Sequence, residues 1–87
     1  MKILDSVCVR VGEEEIYLSV EYDLEFNAFR IVGVEEYPNN PLIIRKPRDE
    51  REVYAVEFLR KFLEENPRKV LDLFGRTIKA RAVLALE

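Results

Sequence analysis

Residues 15–26, EIYLSVEYDLEF, decide the fold. Ile16, Leu18, Val20, Tyr22, Leu24 and Phe26 alternate with Glu15, Tyr17, Ser19, Glu21, Asp23 and Glu25. Successive side chains of a strand point to opposite faces, so an alternation held this long describes a strand with one apolar and one polar face. Upstream, Val7, Val9 and Val11 alternate with Ser6, Cys8 and Arg10, and the polar GEEE (12–15) between the runs opens on a glycine suited to a tight connection. An antiparallel hairpin is expected, with Val11 opposite Ile16, Val9 opposite Leu18 and Val7 opposite Val20.

Working outward, Asn27-Ala28 is the next turn, because asparagine tolerates positive φ. Phe26 then faces Phe29 and Leu24 faces Ile31 on the apolar side, while Arg30 lies across from Glu25. The same register turns Val32 and Val34 outward, opposite Asp23 and Glu21, on a face otherwise rich in carboxylates, so something should cover them. Gly33 between them marks a bulge or a close approach of backbone.

The segment PNNPLIIRKPRDER (38–51) divides into a turn from Pro38 to Pro41, a short extended apolar run from Leu42 to Ile44, a stop at Pro47 and a helix cap at Asp49. Glu52 stands three residues after Asp49, the spacing of a capping box, and Ala55, Val56, Phe58, Leu59, Phe62 and Leu63 form one broad apolar face. Glu57, Arg60, Lys61, Glu64 and Glu65 take the opposite face, with Glu57 and Lys61 spaced as an i,i+4 ion pair. Asn66 caps and Pro67 starts a shorter helix that ends at Gly75, with Val70, Leu71 and Phe74 as its buried stripe. In the tail, GRTIKARAVLALE (75–87), Ile78, Ala80, Ala82, Leu84 and Leu86 alternate with more polar neighbours and favour a strand, although Ile78, Ala82 and Leu86 also recur at helical spacing. The fold class is α+β, one domain over 1–87: a three-stranded antiparallel meander, a main amphipathic helix with a short second helix, and a C-terminal strand, with a helix as its alternative.

At 87 residues the core is small, since such a chain buries only about 60–65% of its unfolded surface. Pairing with a copy is one way to enlarge it, and a homodimer is expected. Its contact residues are Val32, Val34, Leu42, Ile43 and Ile44. No apolar run reaches the roughly 20 residues of a membrane span, and MKILDSV (1–7) has no apolar signal segment, so a cytoplasmic location is expected. His, Trp and Gln are missing while Glu, Lys and Arg abound, a balance that suits a thermophile.

Candidate chemistry is sparse. Glu21, Asp23 and Glu25 would line one strand face about 7 Å apart, enough for a cation or an acid/base pair, but any exposed strand of an acidic protein gives this spacing. Cys8 has only Arg10 nearby to activate it and no histidine to pair with, so it reads as a packing residue, and neither metal nor cofactor is expected. Asn66-Pro67-Arg68-Lys69 joins a helix start to two basic side chains, an anion-binding pattern that ordinary capping also produces. With three isolated glycines and no histidine, neither a phosphate loop nor a nucleophile triad can be assembled, and an enzyme is not expected.

Charge is uneven: residues 1–41 carry nine acidic and three basic residues, whereas residues 42–87 carry eleven basic and eight acidic. Arg45, Lys46, Arg48 and Arg51 concentrate the positive half and could track phosphates, but no aromatic residues interleave with them for base stacking, and the net charge is −3. The leading expectation is a non-enzymatic, self-associating interaction protein; the alternative is a small nucleic-acid-associated protein using these four residues.

Overall fold

The computed structural model describes residues 1–37 and 43–79. Five strands, β1 (Lys2–Val11), β2 (Glu14–Asp23), β3 (Ala28–Glu35), β4 (Ile44–Arg45) and β5 (Thr77–Lys79), form one sheet in the order β4-β3-β2-β1-β5. β1 to β3 are the expected antiparallel meander, β4 pairs antiparallel with β3 as an edge strand, and β5 pairs parallel with β1 at the other edge. The strand reading of the tail is met at Thr77–Lys79, and the rest of it lies outside the described residues. Helix α1 (Glu50–Glu64) lies on one face of the sheet, followed by a 3₁₀ turn (Pro67–Lys69) and the short helix α2 (Val70–Leu73).

The first hairpin is two residues tighter than the sequence suggested. Gly12, at φ 66°, and Glu13 make the whole turn, so Val9 faces Ile16, Val7 faces Leu18 and Cys8 faces Tyr17. A slip of two keeps every side chain on its face, and the core forms from the residues expected: Val7, Val9, Val11, Ile16, Leu18, Val20 and Tyr22 pack against Ala55, Val56, Leu59 and Leu63 of α1 and Val70 of α2. Each buried Val, Leu or Ile among them contributes about 1.5–3 kcal/mol relative to exposure.

The second hairpin departs further. The Asp23 carboxylate accepts the backbone N–H groups of Glu25 (2.9 Å) and Phe26 (3.4 Å), which ends β2 at Asp23. Asn27, at φ 50°, closes the turn as expected, and Tyr22 donates its hydroxyl hydrogen bond to the Asn27 side-chain oxygen. Tyr22 therefore faces Phe29, Glu21 faces Arg30, and Leu24 and Phe26 are in an exposed turn rather than on the core face. Between Val20↔Ile31 and Ser19↔Gly33 the register shifts, leaving Val32 as the extra residue of a bulge. That insertion reverses the parity of the rest of β3. Val34, expected outward, is opposite Leu18 in the core and only 2% exposed.

Gly33 has the close approach its position suggested. A Cβ there would lie 2.6 Å from Ile44 Cγ2 and 2.7 Å from the Arg45 carbonyl oxygen, so β4 can pair with β3 at this height only beside a glycine.

On the helices, Asp49 caps α1 by accepting the Glu52 N–H (2.9 Å). Glu52 does not complete a capping box onto Asp49; its carboxylate accepts from the Arg48 N–H (2.8 Å) and turns toward β4. Asn66 makes no side-chain cap, and the turn after it is closed by the Lys69 N–H on the Asn66 carbonyl (3.0 Å). Phe62 is exposed rather than in the apolar face, with the Lys69 ammonium 5.4 Å from its ring centroid. Glu57 pairs with Arg60, one residue short of the Lys61 expected.

Candidate functional site

The bulge at Val32, the Lys46–Pro47 segment after β4 and the N-terminal part of α1 line a surface groove of mixed apolar and charged side chains. One part, about 280 Å³, is lined by Ile31, Val32, Lys46, Pro47, Val53 and Arg60 among others. A second, about 680 Å³, is bordered by the apolar Pro47, Val53 and Tyr54 and by the charged Arg48, Asp49, Glu50 and Glu57. Pro47, Val53 and Glu57 border both, so the two parts adjoin. Val53, which borders both, is 49% exposed, unlike Val56, the other β-branched residue of the helix, which is buried. Ile43, 48% exposed, adds apolar surface where the chain enters β4.

An ion-pair cluster flanks the groove in sequence, through Arg45 before Lys46 and Glu52 before Val53. Arg45 grips Glu52 in a bidentate pair (2.6 and 2.7 Å) and donates its Nε–H to Glu36 (2.6 Å), tying β4 to α1 and to the segment after β3. The Arg45 guanidinium holds the Glu52 carboxyl below the usual carboxylate range; burial opposes this and the Arg48 N–H reinforces it. Arg45 in turn is raised above its ordinary value, chiefly by Glu52. Arg48 lies 3.9 Å from Glu36 and Arg51 3.4 Å from Glu14.

The residues singled out in the sequence thus separate. Of the four basic candidates, Arg45 is held by two carboxylates, Arg48 and Arg51 are in exposed surface pairs, and Lys46 is on the groove rim with no ion pair among the described residues. Of the contact candidates, Val32 lines the groove, Ile43 is exposed beside it, Ile44 is half-buried over Gly33 and Val34 is in the core. Leu42 lies outside the described residues. Val53 and Tyr54 escaped the sequence reading. Their signal was present, since apolar residues at 53 and 54 ahead of Ala55 and Val56 make the start of α1 apolar on more than one side.

The other candidates read as surface or packing residues. Glu21 bridges Lys2 (3.9 Å) and Arg30 (3.6 Å), Asp23 caps the turn and Glu25 is beyond the strand, so the carboxylate row is broken; among the described residues no metal-ligating group of three or more occurs. Cys8, read as a packing residue, is 4% exposed. Ser6, Ser19 and Glu35 are buried with it on the sheet face away from α1, where Ser6 donates to Glu35. The other Glu35 oxygen and the Ser19 hydroxyl have no partner among the described residues. The cleft at Asn66, Arg68 and Lys69 is also lined by Asp72, which offsets its positive charge.

No family model matches this chain, and no curated protein and no solved structure matches it. No helix among the described residues is long and apolar enough to cross a membrane.

Proposed function

We propose that the chain is a non-enzymatic, self-associating interaction protein, acting as a homodimer, and that the groove beside β4 is its contact surface. The observation that carries this reading is Val53, 49% exposed on α1 with Pro47 and Tyr54 along the same groove, directly after Glu52, whose pair with Arg45 ties β4 to α1. Exposed apolar surface of this kind associates by excluding water, and the β4–α1 junction beside it is already ordered by the ion pair. On its composition, poor in thermolabile side chains and rich in ion-pairing ones, we place the protein in the cytoplasm of a heat-adapted cell.

The nucleic-acid alternative loses support from the same geometry. Phosphate binding by Arg45 would require breaking its bidentate pair, and Arg48 and Arg51 already face carboxylates. The test is Val53→Glu, which places a charge in the groove on a half-exposed helix position and so leaves the fold intact by circular dichroism. The variant is expected to be monomeric where the parent is assembled. A parent that is itself monomeric at micromolar concentration, or one retained on a mixed nucleic-acid column at low salt and released by moderate salt, would overturn the reading.

A further inference from the structure

The sheet is open along two stretches. β4 pairs with β3 at Val34 and Glu35, so among the described residues no strand lies beside β3 from Ala28 to Val32. β5 pairs with β1 at Cys8 to Arg10, which leaves β1 open from Lys2 to Asp5. Strand pairing decides which backbone groups these edges present. The Cys8 N–H bonds to the Arg76 carbonyl on the β5 side, so the even residues of β1 face β5 and the odd ones face β2. Carried through β2, the same alternation turns Ala28 and Arg30 toward β2 and directs the N–H and C=O groups of Phe29 and Ile31 outward. Pro47, two residues after β4, has no N–H with which to continue that strand along the edge.

The two edges are not equivalent. On β1 the ladder stops at Ser6, whose N–H is taken by the Asp5 carboxylate (2.7 Å) and whose carbonyl accepts the Gly75 N–H (2.8 Å). Of the outward residues left there, Lys2 and Leu4, one is a lysine, a residue that guards sheet edges against pairing. On β3 both outward residues are apolar and half-buried, and Ile31 lines the groove together with Val32 and Gly33. The open edge of β3 is therefore continuous with the surface already assigned to self-association.

A row of alternating N–H and C=O groups is its own electrostatic complement when it meets a copy running antiparallel. Registers that set Phe29 against Phe29, or Ile31 against Ile31, match one outward residue of each copy and strand the other. The register centred on Arg30 sets Phe29 of each copy against Ile31 of the other and satisfies every outward N–H and C=O of both. A two-fold axis is then a consequence of the pairing, and the contact closes on itself as a dimer.

We infer that two copies of this chain join β3 to β3 in the register centred on Arg30, continuing the sheet from one copy into the other. The inference rests on the self-association reading and states how the contact is made. Phe29 meets Ile31 across the seam on the α1 side, an aromatic and β-branched pair that favours the register. On the other side Arg30 meets Arg30, a like-charge pair that opposes it, with Glu21 lying 3.6 Å from each guanidinium.

The experiment is amide hydrogen exchange on the wild type, read residue by residue by NMR in a dilute and a concentrated sample, beside sedimentation equilibrium on the same samples. Where about nine-tenths of the chains are paired, the Phe29 and Ile31 amides should exchange about tenfold more slowly than in the monomer, because the monomer alone exposes them. The Leu4 amide, on the open part of β1, should exchange alike in both samples. Arg30→Thr removes the like-charge pair and should dimerise about two- to fivefold more tightly. A dimer whose Phe29 and Ile31 amides exchange as fast as the monomer's overturns the strand pairing and leaves self-association standing. A dimer that protects Leu4 instead, or an Arg30→Thr protein that pairs no more tightly than the wild type, also overturns it. A wild type that stays monomeric overturns both readings.

Discussion

Replacing Gly33 by alanine tests how the sheet edge and the groove are joined. The added Cβ would lie 2.6 Å from Ile44 Cγ2 and 2.7 Å from the Arg45 carbonyl oxygen, where ordinary contact begins at 3.4 Å. Ile44 can rotate its methyl aside, but the carbonyl is backbone, and relief requires β4 to move by roughly 0.7 Å. That displacement pulls Arg45 away from Glu52, whose two contacts are 2.6 and 2.7 Å long, toward the limit of a good hydrogen bond. Overpacking of this kind costs about 1–3 kcal/mol. The restricted unfolded chain returns about 0.4–1 kcal/mol, because Gly33 is not among the positive-φ residues and alanine can adopt its backbone. The expected net loss is about 1–2 kcal/mol, a fall in melting temperature of about 4–16 °C for a domain of this size. Urea unfolding should show a lower midpoint with an unchanged slope. A variant as stable as the parent, or more stable, would refute the close approach.

Three further outcomes follow from the same geometry. Because the Glu52 carboxyl is depressed in the folded state, its pairing stabilises above the unfolded carboxyl pKa of about 4.3 and is lost as pH falls through the folded value. Glu52→Gln should therefore lower stability near neutrality by about 2 kcal/mol and flatten the acid limb of a stability–pH curve; an acid limb as steep as the parent's would contradict the pair. Val34→Ala should cost about 2 kcal/mol and Val32→Ala well under 1 kcal/mol, the order set by the bulge, and denaturant midpoints in the reverse order would place the bulge elsewhere. Cys8 should react with an aromatic disulfide reagent about a hundredfold more slowly in the native protein than in denaturant, since access requires opening of β1; equal rates would mean the face away from α1 is open.

The period-two runs carried the meander, because alternation depends only on neighbours along the chain. Register depended on turn chemistry that the pattern underdetermines. Gly12-Glu13 closes the first hairpin, where the four-residue GEEE looked available, and the Asp23 side chain ends β2 three residues before the apolar alternation does. Neither slip is visible in hydrophobicity. The bulge at Val32 answers to β4, which reaches Gly33 from residues eleven and twelve positions further on, so the inward turn of Val34 could not be read from β3 alone. The partners of the basic cluster were not legible for a similar reason: Arg45 and Glu52 are seven residues apart across a strand, a proline and a helix cap, a separation for which no local rule predicts contact. The apolar run at 42–44 did indicate an edge strand, and β4 begins at its last residue.

The proposed pairing of two copies through apolar surface is tested by the mass of the unmodified chain in solution. Sedimentation equilibrium at micromolar concentration, in dilute buffer and again in about 1 M salt where charge interactions are screened within about 3 Å, should give twice the chain mass of 10.3 kDa in both. A single species of 10.3 kDa under both conditions would contradict the account.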